Sequence, residues 1–142
     1  VGEMIKNENS LISLSDAGAH LTFFCDAGYG LHLLGHWSRD LKLLSLSEAI
    51  KKLTSDPGKL FGIKDRGEIK IGYWADLMLF DPLKIGRGPL VRAHDLPAGG
   101  SRLTTPAVGV HGVWINGQRM VDSSGILPSA PLSGMLMREF EA

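Results

Sequence analysis

The chain has 142 residues, 44% of them apolar and 21% charged, which fits one folded domain with a hydrophobic core. Fifteen basic and fifteen acidic residues give a formal net charge of zero, which argues against a nucleic-acid partner or an electrostatic membrane anchor. The single cysteine, Cys25, excludes an intrachain disulfide and a CxxC zinc cluster. No apolar run approaches membrane-spanning length, so we expect a soluble, cytoplasmic protein.

The first part of the chain predicts one short strand followed by a long, mostly uncharged stretch. Leu11–Leu14 follows turn-forming residues and reads as a buried strand. Within residues 15–36 the only acidic or basic side chains, histidines aside, are Asp16 and Asp26. Such a stretch indicates either core or the lining of a pocket.

Residues 45–54 give the clearest helix. Ser45 and Glu48 form an S-x-x-E capping box at its start. The apolar residues fall on one face, at Leu46, Ala49, Ile50 and Leu53. We expect Lys51 and Lys52 on the outer, solvent-facing side.

A second short helix is predicted next, capped by Ser55 or Asp56 and stopped by Gly62. Near residue 66 the helical pattern gives way to strands. Helices followed by strands predict an α/β unit over residues 1–65 and a separate β layer over residues 66–142.

The β layer contains one strand pair that its turn specifies. Asn116-Gly117, the preferred type I′ dipeptide, lies between the strands Val108–Ile115 and Gln118–Val121. The other predicted elements are an alternating strand at Glu68–Ile71, an apolar strand at Ala75–Phe80, loops at 86–106 and 122–134, and a helical turn at Met135–Phe140.

Asp16 is the first candidate functional residue. It follows the predicted strand Leu11–Leu14 within Ser15-Asp16-Ala17-Gly18-Ala19-His20. An Asp just past a buried strand can be a catalytic carboxylate at the mouth of an α/β barrel. The alternative is a helix cap or turn residue, the more frequent use of Asp at such a place.

Several motifs in a fixed order carry a family resemblance. They are Ser15-Asp16-Ala17-Gly18-Ala19-His20, Cys25-Asp26, Leu34-Gly35-His36-Trp37, Leu53-Thr54-Ser55-Asp56-Pro57, Leu60-Phe61-Gly62, Gly72-Tyr73-Trp74-Ala75-Asp76-Leu77, Phe80-Asp81-Pro82, His94-Asp95-Leu96-Pro97 and Val113-Trp114-Ile115-Asn116-Gly117. In this the chain resembles the C-terminal part of the N-acyl-D-amino-acid deacylase (D-aminoacylase) branch of the metal-dependent amidohydrolase superfamily.

The resemblance implies the last strand and helices of a (β/α)8 barrel, followed by part of a small composite β-sandwich. It also implies hydrolysis of an amide with one or two divalent metals, usually zinc. Asp16 matches the carboxylate that takes a proton from the attacking water and helps to protonate the leaving nitrogen, and it is a possible metal ligand. The other ligands of the family come from earlier barrel strands and would precede Val1.

Three further side chains are candidates for substrate contact or support of the site. His20 either contacts the site or bonds a backbone carbonyl. His36 lies four residues after His32, as in some zinc sites, but packing is the favoured interpretation. The resemblance implies a basic residue after the catalytic Asp that holds a substrate carboxylate. Residues 21–34 lack one, so Arg39 is the candidate, with a solvated surface Arg as the alternative.

The remaining polar candidates are expected to be structural. Cys25 reads as a small buried residue, Asp76 as a turn residue that binds backbone N–H groups, and His94 and His111 as surface or interface residues.

The leading functional hypothesis is part of an amidohydrolase that cleaves a linear amide in a small N-acylated substrate. The alternatives are a non-catalytic interaction or oligomerisation module and a hydrolase of cyclic amides such as hydantoins. The chain begins Val1-Gly2-Glu3 without an initiator methionine, so we expect a fragment or processed product that self-associates and binds no stoichiometric catalytic zinc alone.

Overall fold

The computed structural model describes residues 1–19, 22–138 and 140. Its N-terminal half contains the α- and π-helices of the described residues. The helices are α1 Gly2–Lys6, α2 Tyr29–His32, a π-helical continuation of α2 over Leu33–Asp40, α3 Leu46–Leu53 and α4 Ser55–Leu60. No helix in the described part of the chain is both long and apolar enough to span a bilayer.

Helix α3 confirms the predicted capping box. The N–H of Glu48 donates to Ser45 Oγ at 3.3 Å, and the N–H of Ser45 donates to a Glu48 carboxylate oxygen at 2.7 Å. These bonds satisfy N–H groups that the first helical turn leaves without partners. The cap of helix α4 is Thr54, one or two residues before the predicted Ser55 or Asp56, and Gly62 follows the helix at a φ of 60°.

The prediction for Lys52 is wrong, because its side chain is buried whereas that of Lys51 is 63% exposed. The Nζ of Lys52 donates to the carbonyl oxygens of Asn7 at 2.8 Å and Ser10 at 3.1 Å. The amphipathic pattern does not predict the burial of Lys52, because the carbonyl groups that bind its ammonium group belong to the distant segment after α1. Lys52 therefore ties that segment to α3.

The core lies where the helices meet one residue of the later β segment. Its buried apolar side chains are Ile5, Leu33, Leu34, Leu44, Ala49 and Ile85. Ile85 is fully buried and follows the apolar strand β1, Leu77–Phe80, in sequence. The predicted division of the chain near residue 66 stays a prediction.

Two glycines let the β segment lie against the helix. A Cβ on Gly35 would be 2.5 Å from the carbonyl oxygen of Ile85, and a Cβ on Gly28 would be 2.6 Å from Cγ of Arg87. Both glycines therefore lie on the side of the helix that faces the β segment. Strand β2, Gly86–Arg87, therefore packs along a path that side chains would block.

The β segment contains a four-stranded antiparallel sheet of order β1-β6-β7-β8 and two smaller ribbons. The remaining strands are β1 Leu77–Phe80, β3 Val91–Ala93, β4 Arg102–Thr104, β5 Ala107–Val108, β6 Val110–Ile115, β7 Gln118–Asp122 and β8 Gly125–Ile126. Asn116 and Gly117 have φ of 49° and 79°, as a type I′ turn requires, which confirms the predicted β6–β7 hairpin.

Five predicted elements differ from the structure. Leu11–Leu14 lies outside any sheet. Glu68–Ile71 is irregular chain that ends in a turn, with Ile69 and Ile71 exposed, because no described segment pairs with it to form a ladder. The predicted loop at 86–106 contains β2, β3 and β4 and a 3-10 turn at Pro97–Gly99, and β8 lies in the loop predicted at 122–134. Residues 135–138 and 140 are not helical.

Candidate functional site

Asp16 lies in an exposed turn that follows Leu11–Leu14. Its φ of 51° is in the left-handed region, which Asp tolerates better than most residues. The turn is held by backbone groups, since the N–H of Ala19 donates to Asp16 O at 3.1 Å. The residue is exposed, and within the described ranges its carboxylate makes no hydrogen bond or ion pair. It does not line the cavity described below.

The two histidines of the helix stack on each other. The rings of His32 and His36 have centroids 4.7 Å apart and an interplanar angle of 13°, and His36 meets Trp37 edge-on at 5.2 Å. Burial lowers the pKa of His32 from its ordinary value, and the positive charges of His36 and Arg87 lower it further. Packing of His36, the favoured interpretation, is what the geometry gives. Its support of the site stays a prediction, and His20 lies outside the described residues.

Arg39 has partners of its own. Its Nε donates to Asp40 at 2.8 Å, and Nη1 donates to the carbonyl oxygen of Ile85. The hydrogen bond that Arg39 donates is the main cause of the lowered pKa of the Asp40 carboxyl group. Arg39 thus joins the helix to the β segment, and its proposed contact with substrate is not tested by this geometry.

Sequence reasoning missed a cavity of about 340 Å³ between the helices and β2. Its apolar wall is Ile5, Ile12, Leu33 and Trp37, and its polar groups are Asp26, Tyr29, His32 and Arg87. Arg87 Nη1 donates to Asp26 Oδ1 at 2.7 Å. These two residues are 61 positions apart. The only signal in the sequence was the stretch 15–36, interpreted as core or pocket lining.

The described residues do not form a metal site by themselves. No group of three or more His, Cys, Asp or Glu side chains in residues 1–19, 22–138 and 140 could hold an ion. The parallel, stacked rings of His32 and His36 direct their in-plane nitrogen lone pairs side by side rather than to one point. Asp16 alone would supply one carboxylate, and a zinc site requires three or four ligands.

Four residues expected to be structural or at the surface lie where the sequence predicts them. Cys25 is buried, and His94 and His111 are exposed. Asp76 accepts the N–H of Asn116 at 2.8 Å with Oδ1 and pairs with Arg66 through Oδ2. The prediction that Asp76 binds a backbone N–H at a turn is therefore confirmed.

Comparison with curated proteins finds deacylases. The chain is 36% identical over 85 residues to a D-aminoacylase of Alcaligenes xylosoxydans xylosoxydans, covering 60% of this chain and 16% of that protein. It is 43% identical over 49 residues to the N-acyl-D-glutamate deacylase of the same organism, covering 34% and 10%. A dihydroorotase of Endomicrobium trichonymphae is 45% identical over 42 residues, covering 30% and 10%. The chain thus spans less than a fifth of the length of these relatives.

Solved structures give the same neighbours. A crystal structure of D-aminoacylase matches with a TM-score of 0.54 and 31% identity, over 72% of this chain and 20% of that one. The N-acyl-D-glutamate deacylase of Bordetella bronchiseptica, complexed with zinc and a phosphonate inhibitor, matches with a TM-score of 0.56 and 30% identity, over 75% and 19%. A further matched D-aminoacylase structure was solved to define the role of the binuclear metal centre of that enzyme. Homologous structures therefore bind metal.

The family model named "Amidohydrolase family" matches residues 1–121, which include the Asp16 turn, the helices and most of the β segment. This chain belongs to the amidohydrolase family.

Proposed function

We propose that this chain contributes a proton-transferring carboxylate, Asp16, to a metal-dependent hydrolase of the linear amide bond in N-acyl-D-amino acids. The observation that carries the proposal is the combination of an open Asp16 carboxylate with a family match that spans it. In the same proposal the helical half corresponds to the end of a (β/α)8 barrel and the β segment to part of a composite sandwich.

In the proposed reaction the Asp16 carboxylate takes part in two proton transfers. The carboxylate accepts a proton from the water that attacks the amide carbon, and it then returns the proton to the leaving nitrogen. Both steps need a side chain that no other protein group holds, since a carboxylate that is already paired is a weaker base. Asp16 meets this condition within the part of the chain that the structure describes. Its backbone is fixed by the Ala19 contact.

The metal belongs to the complete active site rather than to this chain. We propose zinc, on the analogy of the zinc-containing N-acyl-D-glutamate deacylase. A zinc ion supplies Lewis acidity to amide hydrolysis. The described residues lack a ligand set, so the proposal requires ligands from outside them, and the chain alone is expected to show negligible hydrolysis.

A chimaera provides the test. Residues 1–121 of this chain, which match the family model, replace the corresponding segment of the D-aminoacylase, and the rest of that protein supplies the remaining site. We expect measurable hydrolysis of N-acetyl-D-amino acids and little of their L isomers. Asp16→Asn, which keeps shape and removes the base, is expected to lower kcat by a factor of about 100 to 10,000 without loss of zinc or helicity.

The matched control is Asp95→Asn, which removes a carboxylate that is exposed and paired with Arg102. It is expected to retain the activity of the parent chimaera. An Asp16→Asn chimaera as active as its parent, with equal zinc content, would falsify the assignment of Asp16.

Cyclic amides are the second candidate substrates, because one relative is a dihydroorotase. Assay of the same chimaera on dihydroorotate and on N-acetyl-D-glutamate separates the two classes. A chimaera that folds and binds zinc but hydrolyses neither compound would instead favour the non-catalytic module.

A further inference from the structure

The cavity between the helices and β2 has the composition of a small-molecule site. Its volume of about 340 Å³ is that of a small ligand pocket, and four apolar side chains form one wall. Its lining also contains four polar side chains: Asp26, Tyr29, His32 and Arg87. Asp16 is absent from the lining, so this site is separate from the group used in the proposed function.

Arg87 brings a cation to a stretch that has none of its own. Residues 21–34 contain no Lys or Arg. The aliphatic stem of Arg87 packs on Gly28, and Nη1 is fixed by Asp26 at 2.7 Å. Nε and Nη2 make no hydrogen bond to described residues. The guanidinium is thus held in place with donors left for another group.

The chemistry of these donors selects the ligand. A guanidinium edge with two free N–H positions matches the two oxygens of a carboxylate. Burial lowers the pKa of His32, which favours its neutral ring, and a neutral imidazole offers a hydrogen bond without a second charge. Trp37 and the aliphatic wall suit an apolar or aromatic body.

The geometry points to a binding site for small apolar monocarboxylates in this cavity, with Arg87 as the residue that selects the carboxylate. Asp26 orients the guanidinium and also competes with the ligand for its charge.

The test uses phenylacetate and its uncharged analogue phenylacetamide as probes. Binding is followed by NMR through the indole N–H signal of Trp37, with the signals of Trp74 and Trp114 as internal references for an intact fold. We expect saturable binding of phenylacetate that is about tenfold or more tighter than that of phenylacetamide, because only the acid gains the charged hydrogen bonds.

Two variants of similar chemistry separate a site from a general charge effect. Arg87→Met keeps the stem over Gly28 and is expected to weaken phenylacetate binding about tenfold or more. Arg92→Met removes a cation that reaches the same stretch, at Thr22 O, but does not line the cavity, and is expected to leave affinity unchanged. Asp26→Asn removes the competing charge and is expected to tighten binding several-fold.

Equal affinity for the acid and the amide, or equal losses in the Arg87 and Arg92 variants, would overturn the site. Asp16→Asn is expected to leave phenylacetate binding unchanged. Hydrolysis is measured in the chimaera and phenylacetate binding in this chain. A chimaera without Asp16-dependent hydrolysis would overturn the proposed function and leave the cavity site standing, whereas loss of the binding preference would do the reverse.

Discussion

At the scale of single residues, His32 gives the protein a pH dependence of known sign. Its pKa is lowered first by burial and then by the charges of His36 and Arg87, while Asp26 opposes the shift. The unfolded chain therefore binds the His32 proton more readily than the folded chain does. The contribution of His32 to stability is complete above the unfolded pKa near 6.5 and is lost as the pH falls from there through the lower pKa of the folded state.

We expect the melting temperature to fall more steeply between about pH 7.5 and about pH 5.5 in the wild type than in His32→Gln. Thermal unfolding at several pH values measures the difference. His94→Gln, a change at an exposed histidine, is the control and should keep the slope of the wild type. Identical slopes in all three proteins would count against the assigned shift.

Residue roles could be predicted where the deciding contact is local or belongs to a motif. Asp76 was predicted to bind a backbone N–H because its motif includes a turn, and it does. The Asp26–Arg87 pair joins residues 61 positions apart and depends on how β2 lies on the helix, which the spacing of residues does not encode. The burial of Lys52 escaped prediction for the same reason.

At the scale of elements, the packing of β2 on the π-helical segment predicts opposite effects for two glycines. Gly35→Ala places a Cβ 2.5 Å from a backbone oxygen of Ile85, which cannot move aside easily. We expect a loss of about 1–3 kcal/mol in the free energy of unfolding. Gly30→Ala meets only Leu53 side-chain atoms at 3.6 Å and should gain about 0.5–1 kcal/mol from helix propensity. Urea denaturation of both variants measures these values, and a shared sign would refute the packing argument.

The tie between α3 and the segment after α1 is tested in the same way. Lys52→Met leaves the carbonyls of Asn7 and Ser10 without their buried donor, and we expect it to cost about 1–3 kcal/mol. Lys51→Met, one residue earlier and largely exposed, should change stability by less than about 0.5 kcal/mol. If the two variants unfold at the same urea concentration, the Lys52 contacts add nothing.

Elements that carry their own stop and start signals were predictable, and elements that need a partner were not. The capping box fixed α3, and Asn116-Gly117 fixed the β6–β7 hairpin, because both signals lie within a few residues. Leu11–Leu14 has the composition of a buried strand, but composition supplies no neighbouring strand. The short ribbons β2–β5 and β3–β4 lie in a stretch whose glycines and prolines pointed to a loop.

At the scale of the whole molecule, much apolar surface remains open. The chain exposes 9750 Å², whereas a compact monomer of its mass would expose about 7,150 Å². The excess of roughly 2,600 Å² is comparable to the area buried in obligate interfaces. Part of it lies on β1, where Leu77, Met78 and Leu79 are each at least 40% exposed on an edge of the main sheet. An open apolar edge is a template for pairing with another strand.

We therefore expect the isolated chain to self-associate through β1 at tens of micromolar, as sedimentation equilibrium would measure. Leu79→Lys puts a charge on this edge and should weaken association about tenfold or more, because pairing would bury an unpaired ammonium group. Ile126→Lys changes the opposite edge of the sheet, where β8 has only two residues, and should have a smaller effect. A monomer at all concentrations would contradict the expectation. Equal weakening by both substitutions would show that association does not depend on β1 in particular, since a charge added at either edge of the sheet would then have the same effect.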